Sequence, residues 1–403
     1  MALVAFFSIL IFYRIDWLTL ANWDEAWYGG IARGITQTGN FMKMDWNGKI
    51  YYHHPPLGFI IIALSIKIFG NNEFAVRFPS AILGVGAIIL IYFIGKRLFK
   101  SKLVGFASAL VVGTSVWYLI RTRSGDLNSI FIFFYLLTVF FSLKSKNNFK
   151  WFIPTMISFA LLLLSKTMVG ASVGVLILFN NLGQVFKSKK NFIITLIGIV
   201  IFFLILTPWY YVQWTNFEHF YEEHFIAVGM RNKSLSSMFH LETFLPLFYL
   251  HMGIRKWYYI WIAAVGFIII TFRFIKKEFF LLLLWNLIVL YPFLTTNETQ
   301  IWHLIPVYLP ISLLIAGGVY WGKELFIRVT KLKKLNWLAN LFYILFFLII
   351  SGLQIKNFYK EVYPTSHFIP DDVDIAKKAA KYQVPIYLDG RWLFFTQVKK
   401  YTH

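Results

Sequence analysis

Residues Asn22–Phe59 read NWDEAWYGGIARGITQTGNFMKMDWNGKIYYHHPPLGF and follow directly on an apolar segment, Ala2–Ala21, long enough to cross a bilayer. This order sets Asp24, Glu25, His53 and His54 at the edge of a membrane. Carboxylates and imidazoles are costly to hold there, so their clustering beside an apolar chain points to a functional site before it points to a structural one. Working outward, the chain is 58% hydrophobic and 20% aromatic with only 14% charged residues. Its mean hydropathy of +0.63 exceeds what a soluble core requires.

A crossing helix takes about 20 apolar residues. By that rule the sequence predicts eleven spans, at 2–21, 75–95, 103–120, 127–143, 151–165, 168–186, 191–213, 256–272, 279–295, 303–322 and 335–353. The first carries Arg14 and Asp16 in its second half and lacks a basic leader region and a cleavage signature, so it is expected to stay as an anchor. The predicted fold class is an all-α polytopic membrane protein with juxtamembrane helices. A membrane domain covers 1–353, with outer loops at 22–74 and 214–255, and an extracytoplasmic segment covers 354–403. In that segment DDVDIAKKAAKY reads as an amphipathic helix and VPIYLDG as a strand entering a turn, a small or incomplete α/β piece.

The formal charge of +21 would suggest nucleic acid in a soluble protein. Here the cations instead fall in short clusters between spans: Lys96, Arg97, Lys100 and Lys102; Lys144, Lys146 and Lys150; Lys187, Lys189 and Lys190; Arg273, Lys276 and Lys277; Lys323, Arg328, Lys331, Lys333 and Lys334. They report orientation, marking cytoplasmic loops. They fall in every second loop only if Pro55–Phe69 is an interfacial or re-entrant helix. All nine histidines then lie on the outer side, with most of the acids. Nucleic acid is not an expected partner, and the bilayer is. With no cysteine, thiolate metal sites and cysteine nucleophiles are excluded too. No glycine-rich phosphate loop is present, so any activated donor has to arrive without a nucleotide-binding module.

Asp24 and Glu25 admit two readings. Asn22 can cap a helix with Glu25 at its third position, which makes the acids capping groups. Alternatively Asp24 is a general base, its carboxyl raised toward working pH by burial and by Glu25. His53-His54-Pro55-Pro56 has a stiff extended entry, since each proline disfavours the α conformation in the residue before it. His54 is either an interfacial histidine bonded to backbone or a ligand for an anion, with Arg77 beside it. Arg121, Arg123 and Asp126 follow the third span; Asp126 either caps the next helix or, with the two arginines, clamps a charged ligand. Lys166 lies alone between two apolar runs, either snorkelling or meeting a membrane-borne anion. His219 and Glu223 share a helical face and are weak candidates for a divalent metal, without a HExxH pattern. Arg231 and His303 are further candidates for the same cavity.

Taken in order, Asp24-Glu25 with Tyr28, His54-Pro55-Pro56-Leu57-Gly58, Arg77-Phe78-Pro79-Ser80-Ala81, Arg123 with Asp126, Ser165-Lys166, Pro208-Trp209 and Pro306-x-Tyr308-x-x-Pro310 resemble the GT-C superfamily of polyprenyl-phosphate-sugar-dependent glycosyltransferases, in the protein mannosyltransferase and aminoarabinose transferase group. The resemblance implies Asp24 as catalytic base with Glu25 and Asp126 in the catalytic group. It also implies that His54 meets the lipid phosphate, where aminoarabinose transferases carry lysine, with Arg77, Arg123, Lys166, Arg231, His303, Tyr28 and His53 as substrate-binding residues. The expected donor is a polyprenyl-phosphate-linked sugar and the acceptor a protein, lipid or glycan, met on the outer face of the plasma membrane. A transporter of lipid-linked sugar, or a lipid-linked oligosaccharide polymerase or ligase, is the alternative. Inverted repeats and midplane helix breaks, common in transporters, are not evident in the sequence.

Overall fold

A computed structural model of the chain describes residues 2–21, 24–46, 48–166, 168–220, 277–294, 304–331, 333–362 and 378. Among them it is helical apart from one two-stranded hairpin. In chain order the elements are α1 (Ala2–Phe12), α2 (Asp24–Thr38), β1 (Met44–Trp46), β2 (Lys49–Tyr51), α3 (Leu57–Phe69), α4 (Glu73–Phe99), α5 (Lys102–Gly113), α6 (Val116–Thr122), α7 (Asn128–Ser145), α8 (Phe152–Ser165), α9 (Val173–Val185), α10 (Lys189–Asn216), α11 (Lys277–Leu294), α12 (Ile305–Thr330) and α13 (Asn336–Val362).

Five of these helices, α4, α7, α10, α12 and α13, are long and apolar enough to cross a membrane, and α5 with α6 makes a sixth if the bent pair is one span. The chain is thus a multi-pass membrane protein, but the described residues hold fewer full-length spans than the eleven expected. The first predicted span ends early: α1 is 11 residues long and stops at Phe12. The chain then turns through Arg14, which takes a left-handed φ of 50°. The predicted spans 151–165 and 168–186 are helices of 14 and 13 residues. The predicted span 256–272 lies outside the described residues, as does the DDVDIAKKAAKY and VPIYLDG segment apart from Lys378. The last helix continues through residue 353, where the sequence reading ends the membrane domain.

The predicted span 103–120 is broken instead of straight: α5 and α6 meet at 71°. Side-chain hydroxyls take the carbonyls at the break. Thr114 Oγ1 donates to Leu110 O at 2.7 Å and Ser115 Oγ to Val111 O at 2.6 Å, which satisfies backbone groups inside an apolar bundle. Tyr118 then donates to Gly84 O at 2.8 Å and pins α6 on α4. A Cβ on Gly84 would stand 1.7 Å from Thr122 Cγ2, so the close crossing needs glycine there.

The segment expected as the first outer loop is folded over its described residues. The hairpin pairs Met44 with Tyr51, Asp45 with Ile50 and Trp46 with Lys49, and buries Met44 and Tyr51 against α2 and α3. Gln213 of α10 donates to Met42 O at 2.6 Å and holds the loop over the bundle. α3 has 13 residues, too short to cross by the length rule above. Its neighbour α4 starts cleanly because Asn72 accepts the Ala75 N–H at 2.8 Å. Together α2, α3 and the first turns of α4 form a second core, of which Phe59, Ile62, Val76, Leu127 and Ile130 are part.

Candidate active site

α2 opens on the two acids, and the fold gives them different tasks. Glu25 is buried. Its Oε1 accepts from Arg77 Nε at 2.8 Å and from the Gly125 backbone N–H at 2.7 Å, and its Oε2 from Arg77 Nη2 at 2.8 Å and the Ala21 N–H at 2.7 Å. Arg77 uses its remaining donors on the carbonyls of Ile15 at 2.8 Å, Leu18 at 2.7 Å and Thr19 at 2.8 Å. All five guanidinium hydrogens are therefore held within the chain. The pair ties the segment after α1, the start of α2, α4 and the turn before α7 to one another. Burial pushes the Glu25 carboxyl up, but the charge and hydrogen bonds of Arg77, with the Ala21 and Gly125 N–H groups, hold it below its ordinary value. Gly125 is needed at this joint, because a Cβ there would meet Val76 Cγ1 at 2.4 Å.

Asp24 faces the other way. Its side chain is 28% exposed, and Oδ2 accepts from Arg121 Nη1 at 2.9 Å. The same nitrogen donates to Oδ2 of Asp126 at 3.1 Å, so one guanidinium nitrogen bridges a half-open carboxylate and a fully buried one. Asp126 Oδ1 accepts the Asn128 backbone N–H, and Oδ2 the Asn128 side-chain amide, both at 2.8 Å. Asn128 Oδ1 in turn accepts from Lys166 Nζ at 2.6 Å. A continuous line of polar groups thus runs Asp24, Arg121, Asp126, Asn128, Lys166. Burial raises the Asp126 carboxyl, a shift opposed by Arg121, Asn128 and Lys166. Burial also lowers the Lys166 ammonium, opposed by Asp126 and Asp24.

An aromatic wall stands beside this line. Tyr28 and His54 are 6.0 Å apart edge-on, Tyr28 and Phe59 5.4 Å, and Tyr51 packs edge-on against Trp27 at 5.5 Å and His54 at 6.2 Å. Burial, then the charges of Tyr51, Asp24 and Asp126, push the Tyr28 hydroxyl well above its ordinary value. His54 is half-buried within the wall, whereas His53 is exposed and packs on Tyr52 at 4.8 Å. The start of α3 reaches the polar line because Gly58 lets it approach: a Cβ there would meet Leu127 at 2.4 Å and the Ser165 carbonyl at 3.3 Å.

The structure therefore gathers Asp24, Asp126 and Lys166 along one polar line with Tyr28 and His54 in the wall beside it, and turns two expected ligands away. Arg77 is held by Glu25. Arg123 points to the end of α1, where Nη1 donates to Ile11 O at 2.6 Å and Leu10 O at 3.1 Å, and Nη2 to Tyr13 O at 2.7 Å and Arg14 O at 3.3 Å. It caps a helix C-terminus, a role suited to a cation. The predicted clamp of Arg121 with Arg123 is thus divided, since residues two apart at a helix end point to different sides. Arg121 faces the acids and Arg123 the carbonyls. Asn128, the link to Lys166, is the residue that sequence reasoning missed, and Arg121, expected as a ligand clamp, instead bridges the two acids; the pattern R-x-x-x-x-D-x-N was the available signal.

Glu223, Arg231 and His303 lie outside the described residues, as does Asn22. His219 is exposed. Among the described residues no group of three His, Asp or Glu side chains is placed to hold a metal.

A family model described as dolichyl-phosphate-mannose-protein mannosyltransferase matches residues 53–211. An undecaprenyl phosphate-alpha-4-amino-4-deoxy-L-arabinose arabinosyl transferase of Wigglesworthia glossinidia brevipalpis is 26% identical over 369 residues, 84% of this chain and 61% of that protein. An uncharacterised protein of Aquifex aeolicus is 31% identical over 132 residues, 33% of this chain and 26% of its own length. The matched part covers less than two thirds of either relative. Among solved structures, ArnT from Cupriavidus metallidurans bound to undecaprenyl phosphate superposes with a TM-score of 0.65 at 17% identity, over all of this chain and 74% of that one. The archaeal oligosaccharyltransferase AglB from Archaeoglobus fulgidus, in complex with an inhibitory peptide and a dolichol-phosphate, gives 0.62 at 12%, over all of this chain and 63% of that one. At such identities the likeness is one of fold.

Proposed function

We propose that this chain, which carries the fold of the GT-C superfamily of polyprenyl-phosphate-dependent glycosyltransferases, is an inverting glycosyltransferase that moves a sugar from a polyprenyl-phosphate donor to an acceptor hydroxyl on the extracytoplasmic side. The observation that carries this reading is the half-open Asp24 carboxylate, held on a guanidinium that it shares with buried Asp126. The names of its relatives support a lipid-linked donor. The basic loops between spans support the assignment of side.

In the proposed step, Asp24 takes the acceptor proton as the acceptor oxygen attacks the anomeric carbon. The bond from that carbon to the phosphate oxygen breaks, and polyprenyl phosphate leaves with the electron pair. A single displacement inverts the configuration. Arg121 has a particular task here. When Asp24 becomes neutral, the guanidinium keeps its pairing with Asp126 at 3.1 Å, so no uncompensated cation is left in a poorly hydrated site. Lys166, at the far end of the polar line, and His54, in the aromatic wall, would carry the growing charge on the departing phosphate, the same logic by which preorganised donors stabilise an oxyanion. Glu25 and Arg77 are positioning residues that fix α2 and the turn of Asp126.

The test is transfer by the purified full chain in lipid nanodiscs. Undecaprenyl-phosphoryl 4-amino-4-deoxy-L-arabinose and undecaprenyl-phosphoryl mannose are offered with lipid, glycan and peptide acceptors. Product formation with inversion, lost on Asp24→Asn, supports the proposal. Donor movement across the bilayer with the sugar bond intact assigns transport instead.

A further inference from the structure

The end of the bundle away from Asp24 holds a second feature that the transfer reaction does not use. A cleft of about 470 Å³ opens between α1, α4, α5 and α13. Its floor is made by Phe7, Val85 and Ile88, all buried, and its rim by Phe93, Leu103 and Lys102. Among the described residues Lys102 is the one charged side chain lining it, and it is exposed at the mouth. Lys100 precedes it by two residues, and Lys96 is brought close by helix packing. α5 approaches α4 so tightly at Gly105 that a Cβ there would lie 3.2 Å from the Lys96 backbone nitrogen. Among the described residues none of these three lysines pairs with a carboxylate. Along α4, Arg77, which with Glu25 braces the start of α2 beside the candidate site, and Lys96 at this end are separated by about 28 Å of helix axis. The cleft is therefore a separate site.

An apolar floor with uncompensated ammonium groups at one edge has two chemical demands. It takes hydrocarbon below and a negative group above. Basic pockets between membrane helices on the cytoplasmic side bind anionic headgroups, and a buried methylene adds its own hydrophobic gain. We propose that this cleft is a binding site for an anionic phospholipid of the cytoplasmic leaflet, one acyl chain lying on Phe7, Val85 and Ile88 and the headgroup phosphate on Lys102, with Lys96 and Lys100 beside it. The occupant is a bilayer glycerophospholipid, distinct from the polyprenyl carrier at the other end. The site does not depend on the proposed sugar transfer.

The test titrates the purified full chain with palmitoyl-oleoyl phosphatidylglycerol or phosphatidylcholine and counts retained lipid by native mass spectrometry. Phosphatidylglycerol is expected to bind the tighter. Lys102→Gln should weaken it about five-fold, the equivalent of the roughly 1 kcal/mol that each cation contributes near an anionic surface, and leave phosphatidylcholine unchanged. Leu103→Trp, which fills the cleft, should weaken both lipids, and Lys187→Gln, in a loop outside it, neither. The Lys102 variant alters an exposed side chain, so its fold is expected to be intact even if Leu103→Trp does not express. Equal retention of the two lipids, or unchanged phosphatidylglycerol binding in Lys102→Gln, would overturn the proposal. So would displacement of phosphatidylglycerol by substoichiometric undecaprenyl phosphate, which would assign the cleft to the carrier.

Discussion

Substituting Glu25 by glutamine changes no volume and removes one charge, so its effect isolates the Glu25–Arg77 joint. In the native fold each carboxylate oxygen receives two N–H donors: Oε1 those of Arg77 and Gly125, Oε2 those of Arg77 and Ala21. Whichever way the amide is turned, its NH2 faces two donors. Arg77 also becomes a buried cation without its carboxylate. Removing one partner of a buried pair costs about 3–5 kcal/mol. Asp24 is a contrast on the next residue: partly exposed, with one hydrogen bond to Arg121, its conversion to asparagine should change stability by about 1 kcal/mol or less. Thermal loss of monodisperse protein, followed by size exclusion, should therefore separate the two variants. Glu25→Gln is expected to unfold at a clearly lower temperature, and Asp24→Asn near the native midpoint while inactive. A Glu25→Gln protein as stable as the native one, or an Asp24→Asn protein equally destabilised, would refute the assignment of one acid to structure and its neighbour to chemistry.

Acidification should act through the same joint. Because Glu25 sits below its ordinary value of 4.5 in the folded state, its contribution is full above that value and is lost as pH falls through the lower folded value, and acid unfolding curves of Glu25→Gln should lack this component. Asp126 has the opposite sign: its raised carboxyl makes ionisation costly, so stability on its account falls as pH rises from 3.8 toward the folded value. Asp126→Asn should remove that cost while leaving Arg121 to act on Asp24 alone. The maximal rate is then expected to fall, as measured by initial rates at saturating donor. Gly125→Ala, which drives a Cβ to 2.4 Å from Val76 Cγ1, should cost about 1–3 kcal/mol by the same thermal assay and lower the rate by shifting Asp126.

Much of this arrangement is legible in the sequence. Long apolar runs without interruption gave α4, α7, α10, α12 and α13, and the alternating basic clusters required Pro55–Phe69 to be less than a span, as the 13-residue α3 is. Asp24 after the first apolar segment, His54 before the double proline and the isolated Lys166 were each singled out by their setting, and they belong to one cluster, whereas Glu25, equally conspicuous in the sequence, is buried on Arg77. What hydropathy does not encode is where a helix bends or stops. The run that reads as one span breaks at Thr114 and Ser115, where the Ser115 N–H turns to Val112 O and the Ser115 hydroxyl takes the Val111 carbonyl that the N–H would bond in an uninterrupted helix. Arg123 likewise ends α1 from more than a hundred residues away in sequence. Nor does local spacing show that Glu25 pairs with Arg77, 52 positions on, or that Arg121 turns inward while Arg123 turns out. These are tertiary choices, made when buried charges find partners.

Release of undecaprenyl phosphate from an undecaprenyl-phosphoryl sugar by the purified chain, measured for the native protein and for Asp24→Asn at matched donor occupancy, tests the assigned base most directly. Loss of a general base should slow release by about 10²–10⁴-fold with donor binding unchanged. Asp24→Asn turning over donor at the native rate, with donor equally bound, would contradict the account.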